Sequence, residues 1–332
     1  MRILLPTAEN VARAAAALAR GELVGMPTET VYGLAGSAFA AAAVARIFAA
    51  KDRPVFDPLI VHLPAAGLAT PGVVGPLAPA QERAAQALAA RFWPGPLTLV
   101  LPRHAQLPDL VTSGLSTVAV RRPGHPVAQA LVAAAGPLAA PSANRFGRIS
   151  PTTAAAVAAE LDGRGVALVL DGGPCAVGME STIVAIDEDG RLALLRPGGV
   201  PADELGDLSA RAGGGVVAPG MLPAHYAPRK TLILLDAPVA ALTAPPPGVP
   251  RSAGLLAFAE GAGEGFAGLT GARVTTETLD GSDLAAAARG FFAALRRLDA
   301  SAAEVLYAEP VPDRKGLGHA IADRLARAAQ RG

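Results

Sequence analysis

Residues 51–62 read KDRPVFDPLIVH. Leu59-Ile60-Val61 has the β-branched, apolar character of a buried strand, and Pro54 stops any helix arriving over Ala40–Lys51. A helix that gives way to a buried strand across a short turn is the building unit of an α/β sheet. The ends of this strand are wrong for a packed core, because Lys51 and Arg53 precede it and His62 closes it. One reading is a helix C-terminus whose dipole favours cations, with His62 a core-edge histidine. The other is a strand that is core in its middle and lends both ends to a ligand cleft.

Working outward, the same alternation runs from residue 1 to about 206. Strands are expected at Glu22–Met26, Leu59–His62, Leu97–Leu101, Thr117–Arg121, Ala167–Asp171, Ser181–Ile186 and Leu192–Arg196. Helices are expected at Ala8–Arg20, Ala40–Lys51, Ala80–Arg91, Pro126–Ala134 and Pro151–Leu161, the last with Ser150 before a first-turn proline. Hairpin-like and helix-separated strands together predict a large mixed, twisted sheet with helices, not a simple parallel one. Residues 207–230 break the rhythm with Gly, Pro and Ala and read as an interdomain linker, although His225 and Tyr226 are odd choices for a spacer. From residue 231 to 332, strands at Leu232–Leu235, Gly254–Phe258, Ala272–Thr276 and Val305–Ala308 alternate with helices at Ser282–Leu298 and Gly318–Ala329. That pattern predicts a smaller Rossmann-like α/β domain.

A chain of 332 residues suits two such domains. Its net charge of +1 and 17% charged residues argue against a sequence-blind nucleic-acid coat, so work on phosphates must come from a local cationic cluster. The single cysteine, Cys175, excludes an internal disulfide and a cysteine-rich zinc site, and reads as a small buried or loop thiol. The opening MRILLPTAEN reads as a short strand and a polar turn, without a secretory hydrophobic stretch. No unbroken apolar run is long enough to span a bilayer, so a cytoplasmic protein with no membrane contact is expected.

Residues 263–268, GEGFAG, fit the dinucleotide spacing G-x-G-x-x-G. A dinucleotide site needs a helix to open there, whereas Leu269-Thr270-Gly271 leads towards another strand, so the segment reads as a loop. No P-loop, H-E-x-x-H or G-x-S-x-G is found in the sequence. Three stretches remain, and each has an ordinary explanation as well. Pro27–Leu34 (PTETVYGL) is a polar turn, or hydroxyls and a carboxylate presented after a strand. Lys51–Pro54 is a helix end or a phosphate clamp. Ala140–Asn144 (APSAN) is a tight turn or part of the same site. Added to TVAVRR (117–122), EST (180–182) and LRPG (195–198), they set cations and hydroxyls at strand ends repeatedly. Lys51, Arg53, Arg121 and Arg196 on one face would make a phosphate-binding cleft without a P-loop.

The ordered series PTETVYGL, KDRP, DPLIVH, WPGPLT, STVAVRRPGHP, APSAN, DGG, ESTIV and LRPGG closely resembles the YrdC-like domain. PGMLPAHYAP followed by a small α/β domain resembles the long, two-domain threonylcarbamoyl-AMP synthases of that family. The resemblance implies condensation of L-threonine, bicarbonate and ATP to threonylcarbamoyl-AMP and pyrophosphate. A tRNA threonylcarbamoyltransferase would then carry the group to adenosine 37 of tRNAs reading codons that begin with A. Contact with tRNA is not required. Magnesium is implied as the cofactor, bound through ATP phosphates and water.

Carried over by position, Lys51 and Arg53 are the implied catalytic residues and face the ATP phosphates. Asp57, Thr117, Ser142, Asn144, Ser150, Arg196 and Tyr226 complete the implied ATP site. Thr30, His62, Arg121, Ser181 and the backbone at Ala140 are implied to hold threonine, with Arg121 on its carboxylate. His225 and Tyr226 form an implied lid over the cleft. Asp57 stands where many relatives carry a neutral polar residue, so Asp57→Asn is expected to leave ATP affinity equal or better. An RNA-binding module would use the same cations, but only 4% of residues are aromatic, too few to interleave with them. A carbamoyltransferase of the hydrogenase-maturation type would need cysteine-rich zinc modules that one cysteine cannot build. Nothing specific supports a regulatory or ribosome-associated factor.

Overall fold

The computed structural model describes residues 1–208 and 225–330. They fall into two compact units, residues 1–146 with 150–208, and residues 147–149 with 225–330. In the first unit the chain runs β1 (Arg2–Leu4), α1 (Ala8–Ala19), β2 (Leu23–Met26), β3 (Gly33–Ser37), α2 (Ala41–Lys51), β4 (Ile60–His62), α3 (Pro79–Phe92), β5 (Leu97–Pro102), α4 (Asp109–Thr112), β6 (Thr117–Arg121), α5 (Pro126–Ala135), β7 (Leu138–Ala139), α6 (Ala154–Leu161), β8 (Val166–Leu170), β9 (Thr182–Ile186) and β10 (Leu192–Arg196). The strands form one ten-stranded sheet in the order β1-β8-β2-β3-β7-β4-β6-β5-β9-β10. The pairs β1–β8, β2–β8, β4–β6 and β5–β9 are parallel and the others antiparallel, so the expected mixed sheet is what forms.

Period-two alternation divides the middle of this sheet into two unlike faces. Val61, Leu97, Leu99, Leu101, Val118, Val120 and Val184 enter the main core with Val44, Ile47 and Phe48 of α2, Leu88 of α3 and Val157 of α6. The alternate residues Ile60, Val100, Ala119 and Ile183 gather with Leu195 in a small cluster made only of strand and bulge residues. Towards β2 and β8, α1 and α5 cover that second face through Leu18, Leu131 and Val132. No helix joins the cluster over β4, β6, β5 and β9 among the described residues. That stretch of sheet is where a ligand can lie.

Besides the short α4 and β7, which no expected segment covers, two first-unit elements differ from the sequence expectation. Strand β3 is the glycine-rich segment GLAGS, which lacks the β-branched signal; it pairs with β2 at Val24↔Ala35 and Met26↔Gly33. Helix α6 begins at Ala154, capped by the Thr153 hydroxyl accepting from the Ala156 N–H at 3.2 Å, and not at Pro151. Residues 150–152 stay outside the helix because Tyr32 and Cys175 donate their N–H groups to the Pro151 and Thr152 carbonyls.

The second unit runs β11 (Leu232–Leu234), β12 (Ser252–Ala257), α7 (Ala262–Thr270), β13 (Arg273–Thr278), α8 (Leu284–Ala300), β14 (Val305–Ala308) and α9 (Leu317–Ala329). Its four strands are all parallel, ordered β11-β14-β12-β13. A triplet from earlier in the chain belongs here too: the Ala227 N–H donates to the Gly147 carbonyl, and Arg296 donates to the carbonyl of Ile149.

Helix α7 corrects the loop reading of GEGFAG. Three glycines depress its helix propensity, yet Ala262 and Phe266 bury one face against Ala253, Leu255 and Tyr307. A Cβ on Gly263 would collide with the Thr276 hydroxyl of β13, so the glycine spacing serves helix-to-strand packing. The mouth at the start of α7 is lined by Glu260 and Glu264, a poor surface for a phosphate.

Candidate active site

Lys51 ends α2, and the chain then turns at Asp52 with φ +51°. That turn sends neighbours apart. Asp52 goes outward to Arg164, 2.8 Å away, while Lys51 and Arg53 go inward and are almost wholly buried. The Lys51 ammonium donates to the carbonyls of Ser142 and Asn144, which ties α2 to the loop after β7. Arg53 donates to the Asp57 carbonyl (3.0 Å) and the Pro58 carbonyl (2.8 Å), and pairs with the Asp57 carboxylate at 2.9 Å. Burial, then the neighbouring Arg53, pushes the Lys51 ammonium well below the ordinary lysine value. Burial raises the Asp57 carboxyl above its usual range, against the pull of Arg53, Lys51 and Arg196. The charges of Lys51, Arg53 and Arg196 all act on the Asp57 carboxylate, and Glu160 acts on Lys51 as well.

The second group is a row across the sheet. His62 of β4 pairs with Arg121 of β6, Thr98 of β5 with Ile183 of β9, and Ile183 with Arg196 of β10. The β5–β6 register, Leu99↔Val120, sets Thr98 opposite Arg121. A bulge between Leu194 and Arg196 turns the arginine onto this face. The Thr98 and Ser181 hydroxyls are 2.7 Å apart, and Arg196 donates to the Ser181 hydroxyl (3.1 Å) and carbonyl (2.8 Å). Gly198 permits this close fit, because a Cβ there would strike the Glu180 carbonyl.

Arg121 is held on three sides. Its Nε donates to the Gly95 carbonyl (3.1 Å), one Nη donates to the Thr30 hydroxyl (2.8 Å), and the other meets Glu29 at 2.6 Å. Burial alone would raise the Glu29 carboxyl, but Arg121 and the Gly124 N–H outweigh it and hold it below the ordinary value. Burial, then the Arg121 charge, lowers His62 to about 3, so its imidazole is neutral at working pH. Its Nδ1 has no hydrogen-bond partner among the described residues.

The remaining expected residues divide. Ser142 pairs with Gly33 across an isolated bridge and is half-buried. Asn144 is buried, its amide donating to the Arg145 carbonyl at 2.8 Å. The Ser150 hydroxyl donates to Glu180 at 2.5 Å. Thr117 sits on the far end of β6, beside Pro58 by the Ile60↔Ala119 register. The Ala140 N–H donates to the Ile60 carbonyl, so a substrate would meet that residue's carbonyl and not its N–H. His225 and Tyr226 belong to the second unit. There Tyr226, at φ +63°, packs on Phe292 and under the Arg324 guanidinium, 4.9 Å from its ring centre. Of the expected 207–230 linker, residues 209–224 lie outside the described ones.

Sequence reasoning missed Thr98, Glu29 and Glu180 as site residues. Thr98 had a legible signal, since it interrupts LTLVL at the alternate position. Glu29 and Glu180 stood inside quoted motifs without a role, because only their ion pair and hydrogen bond reveal one.

The face therefore offers two anion-holding zones and neutral hydroxyl and imidazole groups between them. It offers no protein nucleophile there. Cys175 is buried and its thiol is pushed up to about 12, first by burial and then by Glu29. Such a site suits a reaction between two bound substrates.

A family profile described as Telomere recombination matches residues 16–198, and one described as Threonylcarbamoyl-AMP synthase, C-terminal domain, matches residues 194–330. The chain belongs to the threonylcarbamoyl-AMP synthase family. It is 38% identical to the threonylcarbamoyl-AMP synthase of Pyrococcus abyssi, over 95% of this chain and 93% of that protein. It is 40% identical to the threonylcarbamoyl-AMP synthase of Bacillus subtilis, over 96% and 93%. The crystal structure of P. abyssi Sua5 complexed with L-threonine superposes with a TM-score of 0.83 at 34% identity, covering 99% of this chain and 96% of that one. Both units thus match the two-domain members of the threonylcarbamoyl-AMP synthase family. Among the described residues, no helix is long and apolar enough to cross a membrane.

Proposed function

We propose that this protein is an L-threonylcarbamoyladenylate synthase. The carrying observation is the single face that joins Lys51, Arg53 and Asp57 to Arg196, Ser181, Thr98, Arg121 and His62. Threonine's amine and bicarbonate give a carbamate, water and one proton. A carbamate oxygen then attacks the α-phosphorus of ATP, the Pα–O bond to the β-phosphate breaks, and pyrophosphate leaves.

Lys51 and Arg53 hold the polyphosphate and stabilise charge on the leaving pyrophosphate. Their burial strengthens that effect. Ser142, Asn144, Thr117 and Arg196 line the nucleotide side. On the other side, a guanidinium has five N–H donors; Arg121 gives one to the Gly95 carbonyl and one to the Thr30 hydroxyl and is ion-paired with Glu29, and its remaining donors serve the threonine carboxylate. Glu29, kept ionised, faces the amine, and neutral His62 with Thr30 and Ser181 reads the hydroxyl and the carbamate. Holding both reactants here replaces a collision with an oriented encounter.

Magnesium fits this donor set. Among the described residues no group of three or more His, Cys, Asp or Glu could hold a metal alone; an ion carried in by phosphates would retain most of its waters. When bound, it would neutralise phosphate charge, and Asp57 is the carboxylate of the cation cluster that could hold it through water.

His225 and Tyr226 act as a lid that keeps water from the adenylate. Within the second unit, Tyr226 occupies a left-handed conformation uncommon outside glycine, braced by Phe292 and Arg324. Tyr226→Ala should raise conversion of ATP to AMP relative to product, read by chromatography; unchanged partitioning removes the lid. The protein works in the cytoplasm, and its product passes to a tRNA-modifying transferase. The direct test is pyrophosphate release from the purified chain, which should require threonine and bicarbonate together. Release that ignores either one overturns the proposal.

A further inference from the structure

Beside α3, an opening of about 350 Å³ is walled by residues 66–69, Gln86 and Ala89 of α3, Trp93 and Arg122. That volume suits a small ligand. Trp93 is the chain's single tryptophan, and its Nε1 donates to the Leu97 carbonyl at 2.7 Å, which fixes the plane of the ring. Gly67, at φ +55°, lies by the edge of the ring, where a Cβ would stand 4.0 Å from Cε3, and Ala66, Leu68 and Ala69 flank it. Arg122 is half-buried, and its guanidinium makes no hydrogen bond or ion pair among the described residues. A fixed indole, a wall of small and aliphatic residues beside it, and a guanidinium without a hydrogen bond or ion pair among the described residues fit a flat ring that carries an anionic group.

We propose that this opening is a second nucleotide site, taking an adenosine monophosphate with its base on Trp93 and its phosphate on Arg122. The ring-and-anion chemistry stands on the geometry alone. The choice of adenine rests on the activity proposed above, which consumes ATP and releases an adenylate. The site also has a path to threonine. One loop serves both: the Gly95 carbonyl accepts from Arg121 (3.1 Å), and the Gly95 N–H donates to the Arg122 carbonyl (2.9 Å). A ligand that moves Trp93 or Arg122 moves the residue that positions Arg121.

Trp93 fluorescence reports occupancy without a label. The full chain carrying Lys51→Ala, which disables the catalytic nucleotide site, is titrated with AMP, adenosine and inorganic phosphate. AMP should quench saturably, and adenosine or phosphate should bind about ten-fold more weakly. Arg122→Ala on that background should weaken AMP about ten-fold, and Ala89→Leu, which fills the groove from α3, should do the same. With Lys51 intact, AMP should shift the threonine KM, and Arg122→Ala should abolish the shift while leaving kcat without AMP unchanged. The second site is overturned if AMP leaves the fluorescence unaltered, if Arg122→Ala and Ala89→Leu bind AMP undiminished, or if quenching vanishes with Lys51→Ala. Each of those results leaves adenylate synthesis itself untouched, so the two proposals fail separately.

Discussion

The two sheets of this molecule both bury charge at strand ends and put it to opposite uses. After β14 of the second unit, Glu309 is buried with both carboxylate oxygens occupied. One accepts from the Val239 N–H (2.7 Å) and the other from the Phe258 N–H (2.8 Å), in the loops that follow β11 and β12. Those loops bound the crevice where an α/β sheet commonly takes its ligand, and here the chain stitches the crevice shut with its own anion. In the first unit the charges of Lys51, Arg53 and Arg196 all act on the Asp57 carboxylate, with Glu160 acting on Lys51 as well. Burial of a charge is common to both; at Glu309 backbone N–H groups occupy both oxygens, whereas neither Asp57 oxygen has a hydrogen-bond partner among the described residues. A carboxylate filled by backbone N–H groups is architecture, and cations gathered at a carboxylate that lacks such bonds are, under the proposed function, the place for an anionic ligand.

The largest expected effect tests that contrast directly. Lys51→Ala should lower kcat/KM by at least about 100-fold in the folded protein, as loss of a transition-state donor does. Glu309→Ala should do the reverse, costing about 2–5 kcal/mol of stability by stranding two buried N–H groups while the folded fraction keeps its kinetic constants. If Glu309→Ala abolishes turnover in folded protein, the second sheet is not merely stitched and the comparison breaks.

Next in size is Asp57→Asn. The sequence alone suggested that ATP affinity would hold or improve. With Asp57 fully buried against Arg53, the expectation reverses: the mutation loosens the guanidinium and raises the KM for ATP about ten-fold. An unchanged KM would restore the sequence reading and deny Asp57 its positioning role.

A smaller effect sharpens the amino-acid half of the cleft. Unfolded His62 takes a proton below its ordinary value of 6.5, whereas the folded residue stays neutral down to about 3. The unfolded state therefore binds more protons across that window, and stability falls as pH drops through it, by at most about 1.4 kcal/mol per pH unit. Glu29, held below its ordinary value of 4.5, adds to the loss at lower pH. His62→Gln should flatten the denaturation midpoint between pH 6.5 and 4.5; a slope that survives removes His62 as its source. The smallest effect belongs to α7. A Cβ on Gly268 would meet nothing within 4 Å, so Gly268→Ala should add about 0.5–1 kcal/mol of stability and leave kinetics alone.

How much of this was legible follows from what each signal depends on. Strands β6 and β10 have the bounds expected from their residues because alternation and β-branching are local properties. Strand β3 and helix α7 were not legible, since glycine carries no preference and its meaning lies in what it packs against, Ala140 for Gly33 and Thr276 for Gly263. The start of α6 was displaced because Pro151 and Thr152 bond to segments more than a hundred and some twenty residues away, Tyr32 and Cys175. In the site, cations and hydroxyls could be read from their types, and their assembly from family spacing. Glu29 could not, because only the Arg121 pairing separates it from a turn carboxylate. The join of Thr98 to Ser181 depends on strand order, which no local pattern encodes.

The central claim is that one face of one sheet holds a triphosphate and an amino acid for direct reaction. Its most direct test supplies purified chain, magnesium, ATP and threonine with carbon-13 bicarbonate, and weighs the product by mass spectrometry. The account predicts threonylcarbamoyl-AMP heavier by a single labelled carbon, formed only when all three substrates are present and lost with Lys51→Ala. A threonyl-adenylate without the label, or AMP and pyrophosphate formed regardless of threonine, would contradict it.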